Sequence, residues 1–418
     1  MSDVVRNWAG NITFGASRVH RRVTVPRLQE LVAAGGPLRV LGSGHSFNRM
    51  ADTTGDLVSL GGLPRVVEIA ADRRTVRVDG GIRYGELADR LHAEGLALHN
   101  MASLPHISVA GAVATATHGS GVRNGNLATA VAALELIRGD GELVTLRRGD
   151  EGFDGAVVGL GALGVVTALT LDVVPAFEIR QYVFDDLPRV RLESDLPEIL
   201  GAGYSVSLFT NWAGPDINHA WLKRTDAMPD GPWFGARPAD GPRHPVPGVP
   251  ADNSTEQFGV PGPWHARLPH FRMEFSPSTG AELQSEWMVP LDRALEAIDA
   301  VARVRETIAP VLQVNEIRTV AADDLWLSMN YHRDSLGLHF TWIADTAAVL
   351  PAVSALEEQL APLRARPHWG KVFTMDPAAV RSRYERFDDF RALVAGYDPA
   401  GTFGNAWLNE ILDRPERP

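Results

Sequence analysis

None of the 418 residues is cysteine, so disulfides, thiolate metal sites and cysteine nucleophiles are excluded from the start. Long apolar runs are missing as well. No stretch approaches the ~20 residues that cross a bilayer, and the opening Met1-Ser-Asp-Val-Val-Arg-Asn-Trp8 has no apolar core of the signal-peptide kind. Positive charge is in deficit: 40 basic side chains face 51 acidic ones, a net −11 that argues against nucleic acid or an acidic membrane as partner. Walker, H-E-x-x-H and EF-hand patterns are absent, which leaves ATPase and metalloprotease readings without residues and no metal site to expect. The expectation is a cytoplasmic protein with no nucleic-acid and no membrane partner. What is present is apolar material: 45% hydrophobic content over this length can bury a sizeable core and suggests two domains or more.

The chain is organised around Pro37-Leu-Arg-Val-Leu-Gly-Ser-Gly-His-Ser-Phe-Asn48. Val40 and Leu41 give a short strand something to bury. Gly42 and Gly44, on either side of Ser43, let the backbone turn tightly and present consecutive N–H groups, the geometry that cradles a phosphate. His45, followed by Ser46, is then held beside whatever the loop binds. The same residues also suit an ordinary turn with a surface histidine. A second stretch, residues 100–121, is dominated by Gly, Ala, Ser and Thr. Its Ala102, Ser103, Ser108, Gly111, Thr115, Ala116, Thr117 and His118 let a backbone approach a large flat ligand and offer hydroxyls and amides to phosphate and ring heteroatoms. Close packing of two helices is the alternative use of such small residues.

Around these stretches, Thr24 and Pro26 open a helix that stops at Gly35-Gly36. Val66–Ile69 and Thr75–Val78 read as a hairpin, Tyr84–Glu94 as an amphipathic helix, and Val131–Ile137 with Glu142–Leu146 as a second hairpin across Asp140-Gly141. The texture is mixed α+β. Gly159-Leu-Gly-Ala-Leu-Gly164 is a formal G-x-G-x-x-G, yet Val165-Val-Thr-Ala-Leu-Thr-Leu171 after it reads as a strand, where a dinucleotide fingerprint needs a helix. A Rossmann site is therefore rejected.

A domain boundary falls near Pro175. Beyond it, Tyr204–Phe209 and His219–Lys223 read as strands, a Pro/Gly-rich segment of unassigned role runs over 229–269, and one helix is expected over Pro290–Ile308. Asp345 caps another helix that reaches about Leu360. Between the two, the period of a strand puts Glu316 and Arg318 on one face of Leu312–Arg318. Leu338-His-Phe-Thr-Trp342 likewise aims His339 and Thr341 to one side and Leu338, Phe340 and Trp342 to the other. A solvated sheet face carrying a surface ion pair would show the same alternation. Finally, Pro367-His-Trp-Gly-Lys-Val-Phe373 brings His368, an aromatic residue and Lys371 to the apparent return to the first domain.

The histidine loop and the small-residue segment together resemble the vanillyl-alcohol oxidase flavoprotein superfamily. The Glu-Ile-Arg strand, the His-Trp-Gly-Lys turn and the closing Asp398-Pro-Ala-Gly-Thr-Phe-Gly-Asn405 resemble its aldonolactone oxidase branch. Within that branch, Asn100-Met-Ala-Ser-Leu-Pro-His106 and His-Phe-Thr-Trp resemble bacterial alditol oxidases. The resemblance covers nearly the whole chain and implies a two-domain α+β fold: an FAD-binding domain over 1–177, completed by 374–418, and an antiparallel-sheet cap over 178–373. It implies FAD attached covalently through His45, with the first loop, the small-residue segment, His368 and Asn405 around it and Val165 or Val166 meeting the adenine. Arg318 and Lys371 would be the catalytic cations, joined by Ser103, Glu316, His339 and Thr341 in gripping a polyol. The expected reaction is oxidation of a terminal hydroxyl of xylitol or sorbitol to the aldose by a monomer, with molecular oxygen reduced to hydrogen peroxide. Two departures stand out: Ala116 occupies a position where glycine is common, and Gly404 one where a larger polar residue is usual. An aldonolactone oxidase, a dehydrogenase using another acceptor and a non-catalytic flavin- or sugar-binding protein remain open as rivals.

Overall fold

The computed structural model describes residues 4–275 and 281–415; Met1 to Asp3 of the opening stretch lie outside them. In the first half, Thr24 caps the Val25–Ala33 helix, which buries Leu28 and Val32. The organising strand, Leu38–Leu41, runs parallel to Asp56–Ser59, which pairs in turn with Arg18–His20. The far end of the chain closes the other side: the Leu38 N–H donates to Thr402 O at 2.8 Å. Next to it the buried Arg39 guanidinium donates to the carbonyls of Met50, Leu160, Gly161 and Phe403. Both expected hairpins are present and join in a five-stranded antiparallel sheet, with Val165–Asp172 inserted between Thr75–Asp79 and Val131–Ile137. The glycine turn at Gly159–Gly164 thus delivers a strand, and no helix opens on it.

The second half is built on a larger, nine-stranded antiparallel sheet. Its centre runs Ile217–Arg224, Ser205–Thr210, Leu312–Val320, Ser335–Ile343, Glu282–Pro290. Trp287, Ile317, Leu338, Phe340 and Trp342 pack into one apolar cluster with residues of the Arg189–Leu200, Ala294–Arg303 and Thr346–Leu360 helices, the last capped by Asp345. Strand alternation therefore sends Glu286, Glu316, Arg318, His339 and Thr341 to the opposite face. Glu286, His339 and Glu316 lie in direct cross-strand register. That face is not solvated: these five side chains belong to residues only 1% to 8% exposed.

The helix expected over Pro290–Ile308 is interrupted. Pro290 ends a strand, Leu291–Arg293 is a 3₁₀ turn, Ala294–Arg303 is the helix, and the β-branched Val304 leaves helical geometry at φ −108°, ψ 12° before Arg305–Ile308 resumes it. The Pro/Gly-rich segment is mostly irregular and is held on the sheet by Arg237–Pro238 and Gly262–Pro263, which both pair with Glu178–Leu187. Among the described residues no helix is long and apolar enough to cross a membrane.

Candidate active site

A cavity of about 630 Å³ is lined by residues of both halves. Of the candidate cofactor- and substrate-binding residues read from the sequence, all line it except Ala116, Val165 and Asn405. Ala116 is buried behind the wall at φ +51°, in the left-handed region that favours glycine. Its methyl thus occupies a backbone geometry in which a side chain costs about 1 kcal/mol. Val165 is wholly buried in a separate apolar cluster while its neighbour Val166 faces the cavity. Asn405 caps the Ala406–Leu412 helix through Leu408 N–H at 2.7 Å and donates to the carbonyls of Arg49, Met50 and Asp52. It braces the stretch behind the histidine loop.

The loop side of the cavity is fitted to a nucleotide-bearing ligand. A Cβ on Gly42 would lie 2.4 Å from Ser108 Oγ of the second stretch, so a side chain there would push the hydroxyl aside and glycine lets the two segments approach this closely. Ser108 Oγ is itself buried without a hydrogen-bond partner, an arrangement that suits an incoming phosphate oxygen. Both ring nitrogens of His45 are likewise buried and unpartnered. The ring stacks on Trp8 at 5.0 Å between centroids, and the Trp8 N–H is fixed by Gly44 O at 2.7 Å. Burial, with His106 and Arg83 nearby, pushes His45 down to about 4, so at neutral pH it offers a free nitrogen lone pair. These residues fit FAD.

The sheet side carries a buried charge cluster. Glu286, 1% exposed, accepts from Arg318 Nη2 at 3.0 Å and from Lys371 Nζ at 2.6 Å. His118 Nε2 lies 3.3 Å from the same carboxylate. Arg318 also reaches Ser103 Oγ at 3.2 Å and Glu316 at 3.4 Å, tying the two sides together. Lys371 Nζ donates to His339 Nδ1 at 2.6 Å. An ammonium can only donate, so the neutral ring carries its proton on Nε2, 3.3 Å from Thr341 Oγ1. Burial, then Lys371, pushes His339 down to about 4, which keeps it neutral. Burial alone would raise the Glu286 and Glu316 carboxyls, but Arg318, acting together with Lys371 and His118 at Glu286 and with His270 and His339 at Glu316, outweighs it and holds both well below the usual carboxylate range. The turn that bears Lys371 is anchored to the histidine loop: Phe47 N–H donates to Gly370 O at 2.7 Å, and Asn48 Nδ2 to Trp369 O at 2.7 Å and Lys371 O at 3.0 Å.

Three functional groups escape motif reading. Glu286 has one signal, the alternation of Leu283, Trp287 and Val289 with Gln284 and Glu286 along its strand. His270, which lines the cavity, and Lys223 behind it have none, since a long irregular segment brings them together. Arg318 and Lys371 thus face Glu286 and Glu316 beside the cavity, while Lys223, which burial pushes down to about 7, sits behind them against His270.

Residues 26–147 match the FAD binding domain family and residues 280–411 the D-arabinono-1,4-lactone oxidase family. The chain is 57% identical to an alditol oxidase of a Streptomyces species over 99% of its own length and 100% of that protein. It is 29% identical to L-gulono-1,4-lactone dehydrogenase of Mycobacterium tuberculosis, covering 99% and 100% of the two chains. The cholesterol oxidase structure from Brevibacterium sterolicum superposes with a TM-score of 0.78 at 15% identity, over 98% of this chain and 96% of that one, a likeness of fold alone. The two-domain α+β architecture expected from the sequence is thus that of a flavoprotein of the vanillyl-alcohol oxidase type. On its full-length similarity, the chain belongs to the alditol oxidase family of FAD-dependent oxidoreductases.

Proposed function

We propose that the protein oxidises the terminal primary hydroxyl of alditols such as xylitol and sorbitol to the aldose, using FAD and passing the electrons to molecular oxygen to give hydrogen peroxide. The observation that carries this reading is the convergence of Arg318, Lys371 and Glu286 on a cavity whose other wall is the His45 loop. FAD, when bound, supplies the acceptor for the hydride that leaves the carbinol carbon. Arg318 and Lys371 stabilise negative charge developing on the reacting oxygen. Glu286 keeps both cations in place. Ser103, Glu316, His339 and Thr341 supply the mixture of donors and acceptors that a row of hydroxyls needs, and a substrate lacking one would leave a buried group unpaired. Mixing the purified yellow protein with xylitol without oxygen should bleach the visible flavin band; a band that persists would sink the alditol assignment. The match of residues 280–411 to a lactone oxidase family favours one alternative, a sugar lactone, and faster bleaching by a lactone than by xylitol would select it.

His45 is the attachment point in this reading. Its neutral, unpartnered ring, held flat against Trp8, supports a single covalent bond to the flavin, and the absence of cysteine removes a second, cysteinyl link. Mass spectrometry should find the His45 peptide heavier by one FAD; an unmodified peptide from yellow protein would refute the bond. The same reading takes 1–177 with 374–418 as the FAD domain and 178–373 as the cap, and places Ser43, Ser108, Thr115 and Thr117 around the cofactor. It also takes the enzyme as a cytoplasmic monomer whose partners are the polyol and oxygen, with neither nucleic acid nor membrane involved.

A further inference from the structure

Behind the cavity wall lies a buried chain of contacts that the reaction just described does not use. Lys223 is 1% exposed and makes no ion pair with a carboxylate among the described residues. Its Nζ donates to Leu268 O, to Pro269 O at 3.1 Å and to His270 Nδ1 at 3.1 Å, so all three ammonium protons have acceptors. Because Nδ1 accepts, the neutral His270 ring carries its proton on Nε2, which lies 2.9 Å from Glu316 Oε1. Phe209 and Trp221 meet the ring edge-on at 5.5 Å and 5.2 Å and fix its plane. The His270 N–H donates to Ser103 O at 3.1 Å, which joins this end of the Pro/Gly-rich segment to the other wall of the cavity.

A lysine is an expensive group to bury. Burial pushes Lys223 down to about 7, with Glu316 opposing the fall, and an apolar residue of similar length would fill the space at less cost. What an apolar residue would not do is choose the His270 tautomer. With Nδ1 protonated instead, the unprotonated Nε2 would face the Glu316 carboxylate, acceptor against acceptor. Burial and then Lys223 push His270 down to about 4, so the ring itself stays neutral and relays orientation without carrying charge.

We propose that Lys223, acting through His270, is the positioning residue that presents the Glu316 carboxylate as the acceptor for a polyol hydroxyl, and so sets the preference for hydroxyl-rich substrates. The inference rests on the alditol reading above. It makes the end of the irregular segment the means by which a side chain two strands away on the same face of the sheet acts on the Glu316 carboxylate.

The test is a double-mutant cycle on the holoenzyme. K223M is expected to raise the xylitol KM about tenfold while kcat changes less than about threefold, because a hydroxyl grip is lost and the cations at the reacting oxygen are not. K223M in an E316Q background should then add almost nothing, as residues acting through one another do not add. Nitrogen-15 histidine spectra supply a readout independent of turnover: the His270 signal, assigned by its loss in H270F, should be the Nε2–H form in the parent protein and change in K223M. If K223M does not fold, H270F must reproduce the KM rise. An unchanged KM, additive effects in the cycle, or an Nδ1–H ring in the parent protein each overturn the proposal. Parent protein that xylitol fails to bleach sinks the alditol reading and this one together, whereas bleaching with K223M kinetics unchanged sinks only the role of Lys223.

Discussion

Methionine in place of Lys371 should lower the rate of flavin reduction by xylitol about 10³-fold in the folded, FAD-loaded protein. Methionine keeps the length of the side chain and removes its charge. Lys371 Nζ is held by Glu286 Oε2 and His339 Nδ1, both at 2.6 Å, on a turn fixed by Asn48, so the cation is already in place when charge forms. Donors preorganised in this way contribute ~3–4 kcal/mol each. The substitution removes one of the two cations that face Glu286 and Glu316. The loss belongs to kcat more than to KM, since the charge being stabilised exists only in the transition state. Anaerobic stopped-flow measurement of the bleaching rate checks this, and a rate within about tenfold of the parent would remove Lys371 from the chemistry.

Glu286→Leu should be the most destabilising single change in the cavity. The carboxylate is 1% exposed and balances two buried cations, and leucine leaves Arg318 and Lys371 with no partner of equal strength. Breaking one buried pair in this way costs about 3–5 kcal/mol. The pH dependence has a definite sign. A carboxyl held well below its unfolded value contributes stability above about pH 4 and loses it as the pH falls toward the folded value. The parent protein should therefore lose stability on acidification more steeply than the leucine variant. Urea midpoints at neutral and acid pH measure both effects; equal midpoints for parent and variant at neutral pH would show that the cluster is not under electrostatic stress.

Local patterns carried much of this molecule. The Thr24 cap, the two hairpins and the alternation in Leu338–Trp342 are decided by neighbouring residues, so they are legible from a short window. The same holds for the glycine loop at 42 and 44, although the sequence separation of Gly42 from Ser108 hides their contact. The burial of Glu316 and Arg318 was not legible. Alternation gives a polar face, and only the first half of the chain, packed opposite it, decides that the face closes on a cavity and not on water. The relay from Lys223 was further out of reach, because it depends on where forty irregular residues return to the sheet, and irregular backbone has no period to read. The break at Val304 shows the opposite failure, a strong apolar period that does not see a local change of direction.

The hydrogen bonds that join Leu38 to Thr402, Arg39 to Phe403 and Asn405 to Arg49, Met50 and Asp52 have a consequence for biosynthesis. A ribosome delivers every strand of the large sheet before it delivers residue 402. The substrate-facing sheet is thus complete in sequence while the histidine loop still lacks the segment that closes its edge. Residues 402–405 are the latch on a cradle whose loop was laid down far earlier in the chain.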